Sequence, residues 1–118
     1  MNRIIMFFNT LFSASGQTSN SIELLNTSEF KKAISEPDVQ LVDVRTQHEF
    51  RSGHLMKAIN IDFFQPTVFT EKFNRLDRSK PLYIYCRTGV RTQKAAIKLL
   101  DMGFKKIYDL RGGLAQWY

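Results

Sequence analysis

Short apolar runs rich in β-forming residues, each followed by a segment with helical spacing, limit most strongly how this chain can fold. Val39-Gln-Leu-Val-Asp-Val44 and Pro81-Leu-Tyr-Ile-Tyr85 are too short for helices and read as buried strands. Ile22-Glu-Leu-Leu25, Ala58-Ile-Asn-Ile61 and Lys106-Ile-Tyr-Asp-Leu110 read as three more. Between them, Asn26-Thr-Ser-Glu29 is a helix-start signal ahead of Phe30, Ala33 and Ile34 at helical spacing. Thr46 to Arg51 reads as one short helical turn ended by Gly53, and a helix is expected near residues 67–75, just after Pro66. Thr92 to Leu100 reads as a longer helix with Gly103 as its stop, and Leu114 to Tyr118 as a terminal helical stub. Strands alternating with helices predict an α/β domain with a central, mostly parallel five-stranded sheet flanked by helices. Such sheets bind ligands beyond the carboxyl ends of their strands.

A chain of 118 residues is long enough for one domain with a single core, here read as residues 21–118. Residues 1–20 differ in composition. Met1 to Phe12 is apolar with one basic residue near its start, and Ser13 to Asn20 is a small, polar linker. The apolar stretch is interrupted by Asn9 and Thr10 and falls short of the roughly 20 residues that span a bilayer. It reads as a signal peptide or as a short segment that docks on the domain, on a partner or on a membrane surface. Membrane association through residues 1–12 is the less favoured of these readings. The chain is expected to be cytoplasmic, or exported to the periplasm if residues 1–16 act as a signal peptide.

Lys and Arg number 17 against 11 Asp and Glu, a net charge of +6. The basic residues are spread along the chain without a dense run, which is a solvated basic surface rather than a nucleic-acid site. The one cysteine excludes an intramolecular disulfide and leaves no second thiol to resolve an intermediate formed on the first. Any acceptor must come from outside.

That cysteine, Cys86, ends the Pro81–Tyr85 run and opens Cys86-Arg-Thr-Gly-Val-Arg91, ahead of the Thr92 helix. A sulfur between a strand end and a helix start meets backbone N–H groups and the positive end of a helix dipole, an arrangement suited to an anion. Arg87 and Arg91 add two positive charges, and Gly89 allows a turn with positive φ. A loop curled around the sulfur would bring its N–H groups onto a thiolate, a persulfide or an oxyanion. The bland alternative is a small apolar cysteine at a strand end. His48 and His54 are six apart with no cysteine near them, which is not a recognisable metal-ligand spacing. No metal or cofactor is expected.

Four stretches, in order, carry a family resemblance. Cys86-Arg-Thr-Gly-Val-Arg91-Thr92 resembles the active-site loop of the single-domain rhodaneses, the thiosulfate and persulfide sulfurtransferases. Leu41-Val-Asp-Val-Arg45 resembles the family strand ending in Asp-x-Arg. Glu49-Phe-Arg-Ser-Gly-His-Leu55 resembles its Glu-(Tyr/Phe)-x-x-Gly-His-Ile motif, and Asp109-Leu-Arg-Gly-Gly-Leu-Ala-Gln-Trp117 its closing Gly-Gly-x-x-x-Trp motif. The resemblance implies a rhodanese-like three-layer domain and a catalytic Cys86 that carries sulfane sulfur as a persulfide. It implies a binding loop of Arg87, Thr88, Gly89, Val90, Arg91 and Thr92, a small sulfur-containing anion as donor, and cyanide, a thiol or a partner protein as acceptor. Arg91 would steer the donor, with Arg87 assisting.

Asp43 and Arg45 stand as supporting residues, Asp43 bonded to loop groups or a loop arginine, Arg45 in a scaffold pair with Glu49. His54 would be structural and Trp117 a packing anchor. Cysteine phosphatases on related folds need Cys-x5-Arg to cradle a phosphate; here four residues separate Cys86 from Arg91, a ring that fits a sulfur atom better. The rival is a non-enzymatic rhodanese-fold module for protein binding or sulfur sensing. One departure is Lys57, where the family usually has a turn glycine, so the turn is expected to differ locally. The chain also ends one residue past Trp117, which predicts a short final helix.

Overall fold

The computed structural model describes residues 21–118; the apolar segment and linker of residues 1–20 lie outside the described residues. In chain order the elements are β1 (Ile22–Leu25), α1 (Thr27–Ile34), β2 (Gln40–Asp43), α2 (Gln47–Arg51), β3 (Ile59–Asn60), α3 (Pro66–Phe73), β4 (Leu82–Tyr85), α4 (Val90–Asp101) and β5 (Ile107–Leu110). A single 3-10 turn, Leu114–Gln116, takes the place of the expected terminal stub. The strands form one sheet in the order β1-β5-β4-β2-β3, and every neighbouring pair is parallel. β4 is therefore central, and its carboxyl end delivers Cys86.

Alternation along the strands gives the sheet two apolar faces. Val42, Leu82, Ile84 and Ile107 pack with Phe69 and Phe73 of α3 and Ala95, Ala96 and Leu99 of α4. Leu41, Tyr85 and Leu110 pack with Phe30 of α1, Leu114 and the neighbourhood of Phe50 and Trp117. These are the three layers: α3 and α4, the sheet, then α1, α2 and the 3-10 turn. Period-2 side-chain direction explains why consecutive residues of one strand serve both cores.

Local chemistry sets the helix ends. Asn26 accepts the Glu29 N–H at 2.8 Å and Glu29 accepts the Asn26 N–H at 2.9 Å, a capping box that starts α1. Thr46 and Glu49 do the same for α2. Pro66 opens α3, where its missing N–H costs nothing, so that helix runs Pro66–Phe73 rather than over residues 67–75. Trp117 meets Phe30 edge-on, with ring centroids 6.3 Å apart, and anchors the chain end on α1.

Candidate active site

The loop that follows β4 is shorter than its sequence suggests. Gly89 sits at φ +99° and turns the chain straight into α4, so Val90 and Arg91 already belong to the helix. The first N–H groups of a helix need no intrahelical acceptor, which lets the two residues take helical geometry beside the turn. Cys86 is 1% exposed. Its sulfur accepts the Gly89 N–H at 3.1 Å and lies 3.7 Å from the Thr92 hydroxyl. Among the described residues, Gly89 is the one backbone donor seated on the sulfur, so the ring of converging N–H groups reduces to a single contact. The Thr92 hydroxyl donates to Gly89 O at 3.1 Å and braces the turn.

The underside of the loop is held by the Gly112-Gly113-Leu114-Ala115 part of the closing Gly-Gly-x-x-x-Trp stretch. Leu114 N–H donates to Cys86 O at 2.8 Å, and Ala115 N–H donates to Arg87 O at 2.9 Å. Both carbonyls are thereby committed to the 3-10 turn. Gly113, at φ +67° and ψ −166°, lies close against the backbone of Cys86 and Arg87: a Cβ there would stand 2.5 Å from Arg87 C and 2.7 Å from Cys86 O.

The two arginines do not stand open toward the sulfur. Arg91 forms a forked pair with Glu49, at 2.7 and 3.0 Å, and Arg87 reaches the same carboxylate at 3.3 Å. The Arg91 guanidinium, with the Thr46 cap, holds the Glu49 carboxyl well below the usual carboxylate range despite its partial burial. Two cations and one anion leave one net positive charge at the mouth. Glu49 first, and the Cys86 sulfur to a smaller extent, strengthen the hold of Arg91 on its proton. Phe64, largely exposed, lies against the Arg91 guanidinium at 5.5 Å.

Asp43 and Arg45 form a pair of their own. Arg45 Nε donates to both Asp43 oxygens at 3.0 Å and Nη2 donates to Oδ2 at 2.7 Å, with both residues buried. Arg45 Nη2 also donates to Gly53 O at 2.7 Å. The pairing expected of Arg45 with Glu49 is not made, nor does Asp43 bond the cysteine loop. Arg45 precedes the Thr46 cap and so lies outside the helix that would align it with Glu49, while Asp43 is two residues back at the strand end. The pair ties the end of β2 to the turn after α2. Tyr85 sits beside it and accepts the Leu55 N–H at 3.0 Å, and burial pushes the Tyr85 phenol well up.

His54 stacks on Phe50 at 3.6 Å and its Nδ1 lies 2.8 Å from Phe50 O, so the ring is a packing element of the turn. Lys57 takes φ +74°, a left-handed conformation in which a glycine would be unstrained. Among the described residues no three His, Cys, Asp or Glu side chains group as metal ligands, and no helix is long and apolar enough to cross a membrane.

A buried cysteine at the carboxyl end of the central strand, its sulfur against a glycine turn at a helix N-terminus, defines a class of α/β domain built around a cysteine loop. The family profile described as "Rhodanese-like domain" matches residues 26–118, and the chain belongs to that family. It is 31% identical to the thiosulfate sulfurtransferase GlpE of Coxiella burnetii over 71% of this chain and 76% of that protein. It is 35% identical to the tRNA uridine(34) hydroxylase of Cytophaga hutchinsonii over 79% of this chain, but spans only 30% of the hydroxylase. The structure is similar to a rhodanese-like domain protein of Staphylococcus aureus, with a TM-score of 0.71, 29% identity, and coverage of 81% of this chain and 91% of that one. The family is thus functionally varied around one fold.

Proposed function

We propose that this protein is a sulfurtransferase that carries sulfane sulfur on Cys86. The observation that supports it most is the sulfur itself: buried, hydrogen-bonded by the Gly89 N–H at 3.1 Å, and placed at the N-terminus of the twelve-residue helix α4. The similarity to a thiosulfate sulfurtransferase over most of both chains supports the same reading.

In the first half-reaction the Cys86 thiolate attacks the outer sulfur of thiosulfate or of a small persulfide. A new S–S bond forms, the donor's own S–S bond breaks, and sulfite or the donor thiolate leaves with the electron pair. In the second, a nucleophile such as cyanide, a thiol or a protein cysteine attacks the terminal sulfur. The Cys86 S–S bond breaks and the thiolate returns. No external oxidant or reductant enters. The Gly89 N–H and the dipole of α4 stabilise the anionic sulfur in each resting state. The positive charge left over from Arg87, Arg91 and Glu49 draws a small anion.

The test is thiocyanate release from thiosulfate and cyanide by the wild type and by Cys86→Ser. The wild type is expected to turn over many times and the serine variant not at all, with an unchanged melting temperature because the loop backbone survives. Equal rates in both would overturn the reading.

A further inference from the structure

The acid that pairs with both loop arginines is fixed from behind. Glu49 Oε1 accepts the Thr46 N–H at 3.0 Å and the Thr46 hydroxyl at 3.1 Å, and Thr46 Oγ1 accepts the Glu49 N–H at 3.2 Å. This capping box starts α2, so the carboxylate is held where the helix begins. From the front, Arg91 Nη1 and Nη2 each take one of its oxygens, at 2.7 and 3.0 Å, and Arg87 Nε meets Oε2 at 3.3 Å. The Glu49 and Arg91 side chains are only 18% and 17% exposed, against 59% for Arg87. The Glu49–Arg91 pair is therefore a sheltered, two-point contact rather than a loose surface bridge. Phe64 lies on the Arg91 guanidinium as well. Arg91 follows two residues after Gly89, whose N–H sits on the Cys86 sulfur.

This arrangement bears on which donor can approach. A sulfonate is best held by two parallel N–H groups of one guanidinium, and the fork of Arg91 is already taken. The cluster keeps one net positive charge, with the exposed Arg87 as its outer member. Thiosulfate brings two negative charges to it. The persulfide of an uncharged thiol brings one.

We propose that Glu49 is a specificity-determining residue that weights the choice of donor by charge, favouring singly charged persulfides over doubly charged thiosulfate; the proposal rests on the sulfur-transfer reading of Cys86 and deepens it. Glu49 touches no reacting atom and acts through the two arginines. With either donor the Cys86 thiolate bonds to the outer sulfur and the donor's S–S bond breaks. The electron pair leaves on sulfite in one case and on the carrier thiolate in the other. Both routes leave the same persulfide on Cys86, so Glu49 acts on what differs between them, the charge of the donor and of its leaving group at the mouth.

The experiment measures sulfur loading of Cys86 by intact mass, at limiting donor, from thiosulfate and from 2-hydroxyethyl persulfide. The readout is the ratio of the two loading rates, thiosulfate over persulfide, which cancels any general damage to the loop. Glu49→Gln keeps an oxygen for the Thr46 cap and removes the charge. Its ratio is expected to rise about fivefold or more over wild type at low ionic strength, because one unit of charge counts twice for a dianion. In about 0.5 M salt the rise is expected to shrink to about twofold. Arg87→Gln changes the charge in the other direction at an exposed side chain, and its ratio is expected to fall. A ratio that stays at the wild-type value in Glu49→Gln while both rates fall together makes Glu49 a brace of the loop and overturns the proposal alone. A ratio that moves the same way in both variants overturns it too. A wild type that loads sulfur from neither donor overturns the sulfur-transfer reading, and the proposal with it.

Discussion

Replacing Gly113 with alanine is expected to dismantle the support under the cysteine loop. Gly113 occupies φ +67° and ψ −166°, a region taken essentially by glycine alone, and an L side chain there costs about 1–3 kcal/mol. The new Cβ would also stand 2.5 Å from Arg87 C, so one partner must retreat by about 0.9 Å to reach an ordinary 3.4 Å contact. The atoms in the way belong to the backbone of Cys86 and Arg87 and cannot swing aside as a side chain does. Their retreat stretches the 2.8 and 2.9 Å bonds from Leu114 and Ala115, each worth about 1 kcal/mol. The sum is roughly 3–5 kcal/mol, a large part of the ~5–15 kcal/mol that holds a domain together. For a domain of this size that lowers Tm by roughly 12 °C or more. The assay is thermal unfolding by circular dichroism, with sulfur loading measured well below the new midpoint. Loading is expected to fall about tenfold even in the folded variant, because the Gly89 N–H and the sulfur no longer share one loop geometry. Gly112→Ala is the control: its Cβ meets the flexible Gln116 side chain, so the backbone strain is its main cost. A Gly113→Ala protein with wild-type Tm and wild-type loading would refute the reasoning.

Three further outcomes follow from the geometry. Buried in β5, Asp109 holds its proton to about 6 in the fold against about 3.9 in the unfolded chain, so its contribution to stability is present below pH 4 and lost as pH rises through 6; the advantage of Asp109→Asn over wild type in urea unfolding should grow by about 3 kcal/mol from acid to neutral pH, and no growth would refute the burial argument. Glu49→Gln leaves Arg91 and Arg87 uncancelled at the mouth, so the KM for thiosulfate should fall severalfold at low salt while stability drops by roughly 1–2 kcal/mol with loss of the forked pair; an unchanged KM would remove charge from the account of donor capture. Lys57→Gly relieves the φ of +74° at the cost of a looser unfolded chain, a net gain of about 0.5–1 kcal/mol seen as a Tm rise of a few degrees; a lower Tm would show that the lysine side chain outweighs the strain.

Much of the architecture was legible because its signals are local. The apolar runs around Leu41, Ile84 and Ile107 announced the strands, and Asn26-Thr-Ser-Glu29 announced α1 through a capping box that needs only neighbours in sequence. The start of α4 was misplaced by two residues because Val90 and Arg91, beside a glycine, carry no helix signal; the left-handed turn at Gly89 makes them helical. Pairings between distant elements were the part that sequence spacing could not decide. Glu49 stands four residues after Arg45, which suggested a local pair, yet it serves Arg91 and Arg87 across the sheet end. In sequence Glu49 stands out as the first residue of the Glu-Phe-x-x-Gly-His stretch; the capping box with Thr46, seen in the structure, helps fix where its carboxylate points. Gly113 is legible as part of the closing Gly-Gly-x-x-x-Trp stretch, but not as the floor of the Cys86 loop. Asp109 looked like one polar position in a strand, and only the tertiary structure buries it with its Oδ1 unpartnered.

The most direct test of the central claim is the intact mass of the reduced protein before and after thiosulfate, and again after cyanide. The account predicts the gain of one sulfur atom on Cys86, and its complete loss to cyanide with release of thiocyanate. No gain of sulfur from thiosulfate or from a low-mass persulfide would contradict it and leave the fold as a binding module.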